Sequence, residues 1–116
     1  MINLYQDFKI MQDSSENTSN TVLSGVMRLP SKDSYQEYFS TLHESIKHHD
    51  KNHVINLTKL DLLNSVGLVA LAQCVIYARD YNRSLTIIIN SNIPWQKKSI
   101  LSLQSLFNKM IIQEHK

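Results

Sequence analysis

The sequence predicts an α/β domain: a mixed sheet of four to five strands with about three helices packed on it. Two observations carry this. From Ser65 to Tyr81, Leu68, Leu71, Ala72, Val75 and Ala78 recur at i, i+3, i+4 and i+7, and Val69, Ala70 and Ile76 widen the stripe. A helix this apolar is largely buried. On either side lie β-rich runs, residues 53–57 and 85–89, the second continuously apolar as in a strand covered on at least one face. Strand, helix, strand in that order implies a right-handed crossover between parallel neighbours.

The other elements follow from local pattern. Residues 2–12 hold strand-forming Tyr5, Phe8, Ile10 and Met11, the polar run 13–20 reads as a turn, and residues 21–29 are again extended, so a hairpin is expected. After Pro30, Asp33 has Gln36 three residues on, a capping-box spacing, and Tyr38, Leu42, Ser45 and Ile46 recur near helical period until the polar stretch 47–52. Ser91-Asn92-Ile93-Pro94 is a helix entry ahead of Ile100, Leu101, Leu103, Leu106 and Phe107. A short closing strand is expected at 110–113.

Composition narrows the function classes. The 116 residues match one ordinary domain. A formal charge of +2, with 19% charged residues, gives no dense positive field for nucleic acid or an anionic membrane. One cysteine, Cys74, excludes an internal disulfide and a multi-cysteine metal cage. No apolar run approaches the roughly 20 residues of a membrane span, and the N-terminus lacks a basic-then-apolar export signal, so the cytoplasm is expected.

Two glycines occur, Gly25 and Gly67. Gly67 falls in the first turn of the long apolar helix, where glycine costs about 1 kcal/mol relative to alanine. That placement predicts a close approach there by another backbone or by a partner protein. Ser65 stands two residues earlier, at a helix N-terminus. Asn64 and Ser65 are both favoured capping types, and the same location suits an anion such as a phosphate. Local spacing leaves both readings open.

The wider order of residues resembles a known family. An extended segment Val22-Leu23-Ser24-Gly25-Val26-Met27, a helix, and then Val54-Ile55-Asn56-Leu57 running on to Asn64-Ser65-Val66-Gly67-Leu68 are similar to STAS domains of the anti-sigma-factor-antagonist kind. Both glycines fall on the two glycines of that pattern. The resemblance spans about residues 21–107 of a single domain 1–116, residues 1–20 being the N-terminal strand and turn. It looks closest to a subset with Asn-Ser-x-Gly at the switch, Arg28-Leu29 after the first glycine, and Ile93-Pro94-Trp95-Gln96 entering the last helix.

The resemblance implies a non-enzymatic bacterial signalling module without cofactors. Ser65 would be the phosphoacceptor, and Asn64, Ser65, Val66, Gly67, Leu68 and Arg28 would form the partner surface. Its partners would be a serine protein kinase or anti-sigma-like protein and a PP2C-type phosphatase, and a homodimer is compatible with it. In the other reading the family supports, the same surface is the static contact of a constitutive subunit in a transport or signalling assembly. Asn64 and Asn56 replace common aspartates, Val66 replaces a second serine, and Arg28 stands where an acid often lies. The switch face is therefore less negative than the family pattern.

Other candidates read as structural. His43, His48, His49 and His53 cluster in sequence, but adjacent histidines on a helix point about 100° apart and would not converge on one ion. Cys74 has no basic neighbour to lower its pKa and reads as core. Trp95 is either a packing residue at a helix start or an exposed anchor beside Lys97 and Lys98. With Lys109 these lysines are too few for nucleic acid. No Gly-x-Ser-x-Gly motif accompanies Ser65, so hydrolysis is not expected.

Overall fold

The computed structural model describes residues 7–115. Residues 2–6 of the first expected strand lie outside them. The order is β1 (Phe8–Ser14), β2 (Thr18–Met27), α1 (Lys32–His48), β3 (Asn52–Leu63), α2 (Ser65–Asp80), β4 (Ser84–Asn90), α3 (Pro94–Leu103), a 3₁₀ turn (Gln104–Leu106) and β5 (Ile111–His115). The five strands form one sheet in sequence order. β1 and β2 are the antiparallel hairpin, and β2 through β5 run parallel. The mixed sheet and the parallel β3–α2–β4 unit agree with the fold class predicted.

Alternation fixes which face is covered. Thr21, Ile55 and Ile87 are register partners across β2, β3 and β4 and all three are buried, while their neighbours Asn20, Val54 and Thr86 are not. Side chains two apart share a face, so one side of the sheet carries the core. Tyr35, Phe39, Leu42 and Ile46 from α1, Leu71, Cys74, Val75 and Ala78 from α2, and Ile100 and Leu103 from α3 join the strand residues in one hydrophobic cluster. The α2 stripe is narrower than predicted. Val69 is 62% exposed and Leu68 and Ala72 only half-buried, because the buried line runs through Gly67, Leu71, Cys74, Val75 and Ala78.

Several boundaries differ from expectation. The predicted turn 13–20 shrinks to Ser15–Glu16–Asn17, since Ser19 and Asn20 already pair with β1 and Thr18 with Asn52 of β3, and Ser19 is buried with its hydroxyl 3.5 Å from that of Ser45. Ser31, not Asp33, caps α1: its Oγ accepts from Ser34 N at 3.2 Å, leaving Asp33 in the first turn, where its charge complements the helix dipole. The cap residue of α3 is Ile93, which makes no side-chain bond, and Pro94 opens the helix. The largest difference is β3, expected over 53–57 but running to Leu63. Two register shifts against β2, between Val22 and Ser24 and between Gly25 and Val26, break the period of two that would have revealed the second half.

The second half of β3 also leaves β4, for pairing between them ends at Asn56 and Ile88. Side chains close the resulting fork. Asn56 Oδ1 accepts from Thr58 N (2.9 Å) and Oγ1 (2.7 Å), holding the bulge. Gln96, 0% exposed, fills the gap: its Nε2 donates to the carbonyls of Leu57 (2.7 Å) and Leu60 (2.8 Å), and its Oε1 accepts from Asn90 N (2.8 Å). Buried backbone groups must be partnered, and here one side chain replaces the missing ladder. At the opposite end, Arg83 Nε and Nη2 donate to the last carbonyls of α1, Ile46 O and Lys47 O, each at 2.9 Å.

Candidate functional site

The site predicted from sequence lies at the tip of the forked strand, where β3 passes into α2. Asn64 is the N-cap. Its Oδ1 accepts from Gly67 N (3.0 Å) and from the Tyr35 hydroxyl (2.5 Å), and its Nδ2 donates to Leu29 O (3.0 Å). Its own N–H donates to Met27 O (3.1 Å). Tyr35 Oη also accepts from Leu29 N at 3.3 Å. One amide and one phenol therefore tie three segments together: the chain after β2, the first turn of α1 and the first turn of α2. Burial raises the Tyr35 phenol above its ordinary pKa, and the hydrogen bond from Leu29 opposes that shift.

Gly67 is explained by this packing. It is buried, and a β-carbon there would meet the Tyr35 ring at 2.7 Å and run into Leu63 Cδ1. The close neighbour that the sequence called for is thus internal, the phenol of α1. Gly25 has its own reason: with φ +92° and the Asp7 carbonyl where a β-carbon would lie, only glycine fits the bend of β2.

The predicted site residues divide by accessibility. Ser65 is exposed and Arg28 is exposed, its guanidinium 3.8 Å from Asp7 in a loose surface pair. Asn64 is half-buried, Val66 and Leu68 are half-buried against the core, and Gly67 is inside. Asn64 brings Arg28 to the site, because it bonds to both chain neighbours of Arg28, Met27 and Leu29. Since Asn64 supplies the cap, the Ser65 hydroxyl is left without a hydrogen bond to any described residue. The N–H groups of Ser65 and Val66 precede the first intrahelical bond, Leu68 N to Asn64 O at 2.9 Å. Ser65 is the first residue of α2, at the positive end of its dipole, where an anion is favoured.

Sequence reasoning missed Tyr35 and Gln96. Tyr35 lies outside the period read for α1 from Tyr38 to Ile46, and its phenol has no local signature. Trp95 takes the packing role of its two readings, half-buried against the core with Nε1 donating to Asp61 O at 2.8 Å on the free side of the fork. The four histidines do not gather: His43 is buried between Phe39 and Tyr77 (ring centroids 6.0 and 5.2 Å), His53 is buried with Nε2 against His49 O (2.8 Å), and His48 pairs with Glu44 at the surface. Desolvation lowers the pKa of both His43 and His53. Cys74 is fully buried in the core, and desolvation pushes its thiol far up. Among the described residues no helix is long and apolar enough to cross a membrane.

The five-stranded mixed sheet in this order, with three helices, is a STAS-type fold. Among solved structures the chain is similar to the antisigma-factor antagonist STAS domain from Rhodobacter sphaeroides, with a TM-score of 0.56 at 13% sequence identity, over 71% of this chain and 86% of that one. No family model and no curated protein sequence matches the chain.

Proposed function

We propose that this chain is a single-domain, non-enzymatic regulatory module of the cytoplasm that binds a protein partner, as anti-sigma-factor antagonists do, and is switched by reversible phosphorylation of Ser65. One observation carries this reading: Asn64 takes over the capping role, so the exposed Ser65 hydroxyl at the start of α2 has no structural task. In the proposed cycle a serine protein kinase positions Ser65 Oγ for attack on the γ-phosphorus of ATP. The hydroxyl proton passes to the kinase and ADP leaves; a PP2C-type phosphatase later hydrolyses the ester.

The chemistry suits a switch. On the free domain the phosphate, about −1.5 to −2 in charge, is stabilised by the α2 N-terminus and stays hydrated. Within a protein contact the same dianion would be desolvated, which is costly unless it is paired. Partner binding is therefore favoured in the unmodified form, through Asn64, Ser65, Arg28 and the outward edge of Val66 and Leu68.

Incubation with ATP and a cognate serine kinase, followed by mass spectrometric mapping, is expected to place one phosphate on Ser65 and none on Ser65→Ala. Ser65→Asp is expected to weaken partner binding at least tenfold, about 1.4 kcal/mol. No phosphate at Ser65, together with unchanged binding by Ser65→Asp, would reject the switch and leave a constitutive subunit as the better account.

A further inference from the structure

The exposed face of α2 does not stop at Ser65. Residues four apart on a helix share a face, and the line Ser65, Val69, Gln73 runs along one edge of a groove between α1 and α2. The groove holds about 160 Å³ and is lined by Lys32 and Gln36 of α1, Val69, Gln73 and Tyr77 of α2, and the ring of His43. That volume suits one medium apolar side chain. Val69 is 62% exposed at its edge, a branched apolar side chain on the most solvent-facing line of the helix.

Its electrostatics are one-sided. The described lining includes no carboxylate. Lys32, at the end of the groove nearest the N-terminus of α1, is exposed and forms no ion pair with any described residue. At the other end Lys47 stands 4.3 Å from the centre of the Tyr77 ring and is already shared with Glu44 at 3.9 Å. The cation open to a newcomer is therefore Lys32. Beneath the groove His43, 8% exposed, forms part of the floor.

We infer that this groove is the docking site for an acidic segment of a partner protein, one apolar side chain seated on Val69 and a neighbouring carboxylate paired with Lys32. Charge complementarity and the continuity of the line from Ser65 to Gln73 select this occupant. The inference rests on the partner-binding reading proposed above and adds the partner's chemistry. A carboxylate-bearing segment on Lys32 would also be repelled by a dianion further along the same helix edge, joining recognition to the switch.

The test uses a synthetic amphipathic helical peptide of leucine, alanine and glutamate, and a control with every glutamate replaced by lysine. Both are titrated into the isotopically labelled full chain and followed by amide chemical shifts. The acidic peptide is expected to shift Gln36, Val69 and Gln73, with affinity falling about tenfold in Lys32→Glu and in Val69→Asp at low salt, while the basic control binds no better than to Lys32→Glu. Equal binding of both peptides, or shifts confined to other surfaces, would overturn the assignment. Ser65→Asp separates the two readings: if Lys32→Glu abolishes peptide binding while Ser65→Asp leaves it unchanged, the groove stands and its coupling to the phosphoswitch falls.

Discussion

Two side-chain amides stand at helix entries on either side of the fork in β3, and they are used in opposite ways. Gln96, opening α3, is sealed and spends both an acceptor and two donor bonds on main-chain groups of β3 and β4. Asn64, opening α2, is half-buried and divides its bonds among Gly67 N, the Tyr35 hydroxyl and Leu29 O. The first amide repairs a gap in a sheet. The second leaves a neighbouring exposed hydroxyl, that of Ser65, without a capping role. The same functional group is structural or permissive according to whether an exposed, unengaged residue adjoins it.

Replacing each amide measures this difference. Gln96→Leu keeps the volume but orphans Leu57 O, Leu60 O and Asn90 N; at about 1–3 kcal/mol for each buried unsatisfied group, a loss of about 3–5 kcal/mol is expected in urea unfolding. A loss below about 1 kcal/mol would mean that the fork closes without its amide. Asn64→Asp preserves a good cap and a favourable charge at the helix N-terminus but replaces the Nδ2 that donates to Leu29 O with a carboxylate oxygen facing that carbonyl. The net cost is expected near 1 kcal/mol, and a stabilised Asn64→Asp variant would show the Leu29 bond to be dispensable.

Alkali should distinguish the two regions further, because only the Asn64 cluster contains a phenol. The folded pKa of Tyr35 is raised, so its contribution is fully present below the unfolded value of about 10 and is lost as pH rises through the folded value. Thermal unfolding is expected to fall above about pH 10, with the loss reduced in Tyr35→Phe. An identical alkaline slope in both proteins would assign the effect elsewhere. The smallest effect belongs to Ser65→Ala: with Asn64 as the cap, stability is expected to stay within about 0.5 kcal/mol of the parent. A larger loss would show that the hydroxyl has a structural role after all.

How legible each part was in the sequence depended on whether its signal was local. Helix α2, the parallel β3–α2–β4 unit and the Asn64-Ser65 helix entry were readable because apolar period and capping chemistry act within a few residues. The second half of β3 was hidden by two bulges that shift its alternation. Gln96 was hidden because a glutamine in sequence gives no sign of burial; its partners lie as many as 39 residues away. Gly67 announced that something comes close but not what, since Tyr35 reaches it from a separate helix.

The indole of Trp95 offers a further use. It is the chain's single tryptophan, and its N–H is held by the Asp61 carbonyl, three residues before the Asn64 cap and on the strand segment that has no β4 neighbour. Tryptophan fluorescence, excited selectively over the five tyrosines, therefore comes from one address. Its emission wavelength follows the hydration of the free prong, so the proposed phosphorylation and partner docking are expected to register optically, without a label, at the place where the sheet divides.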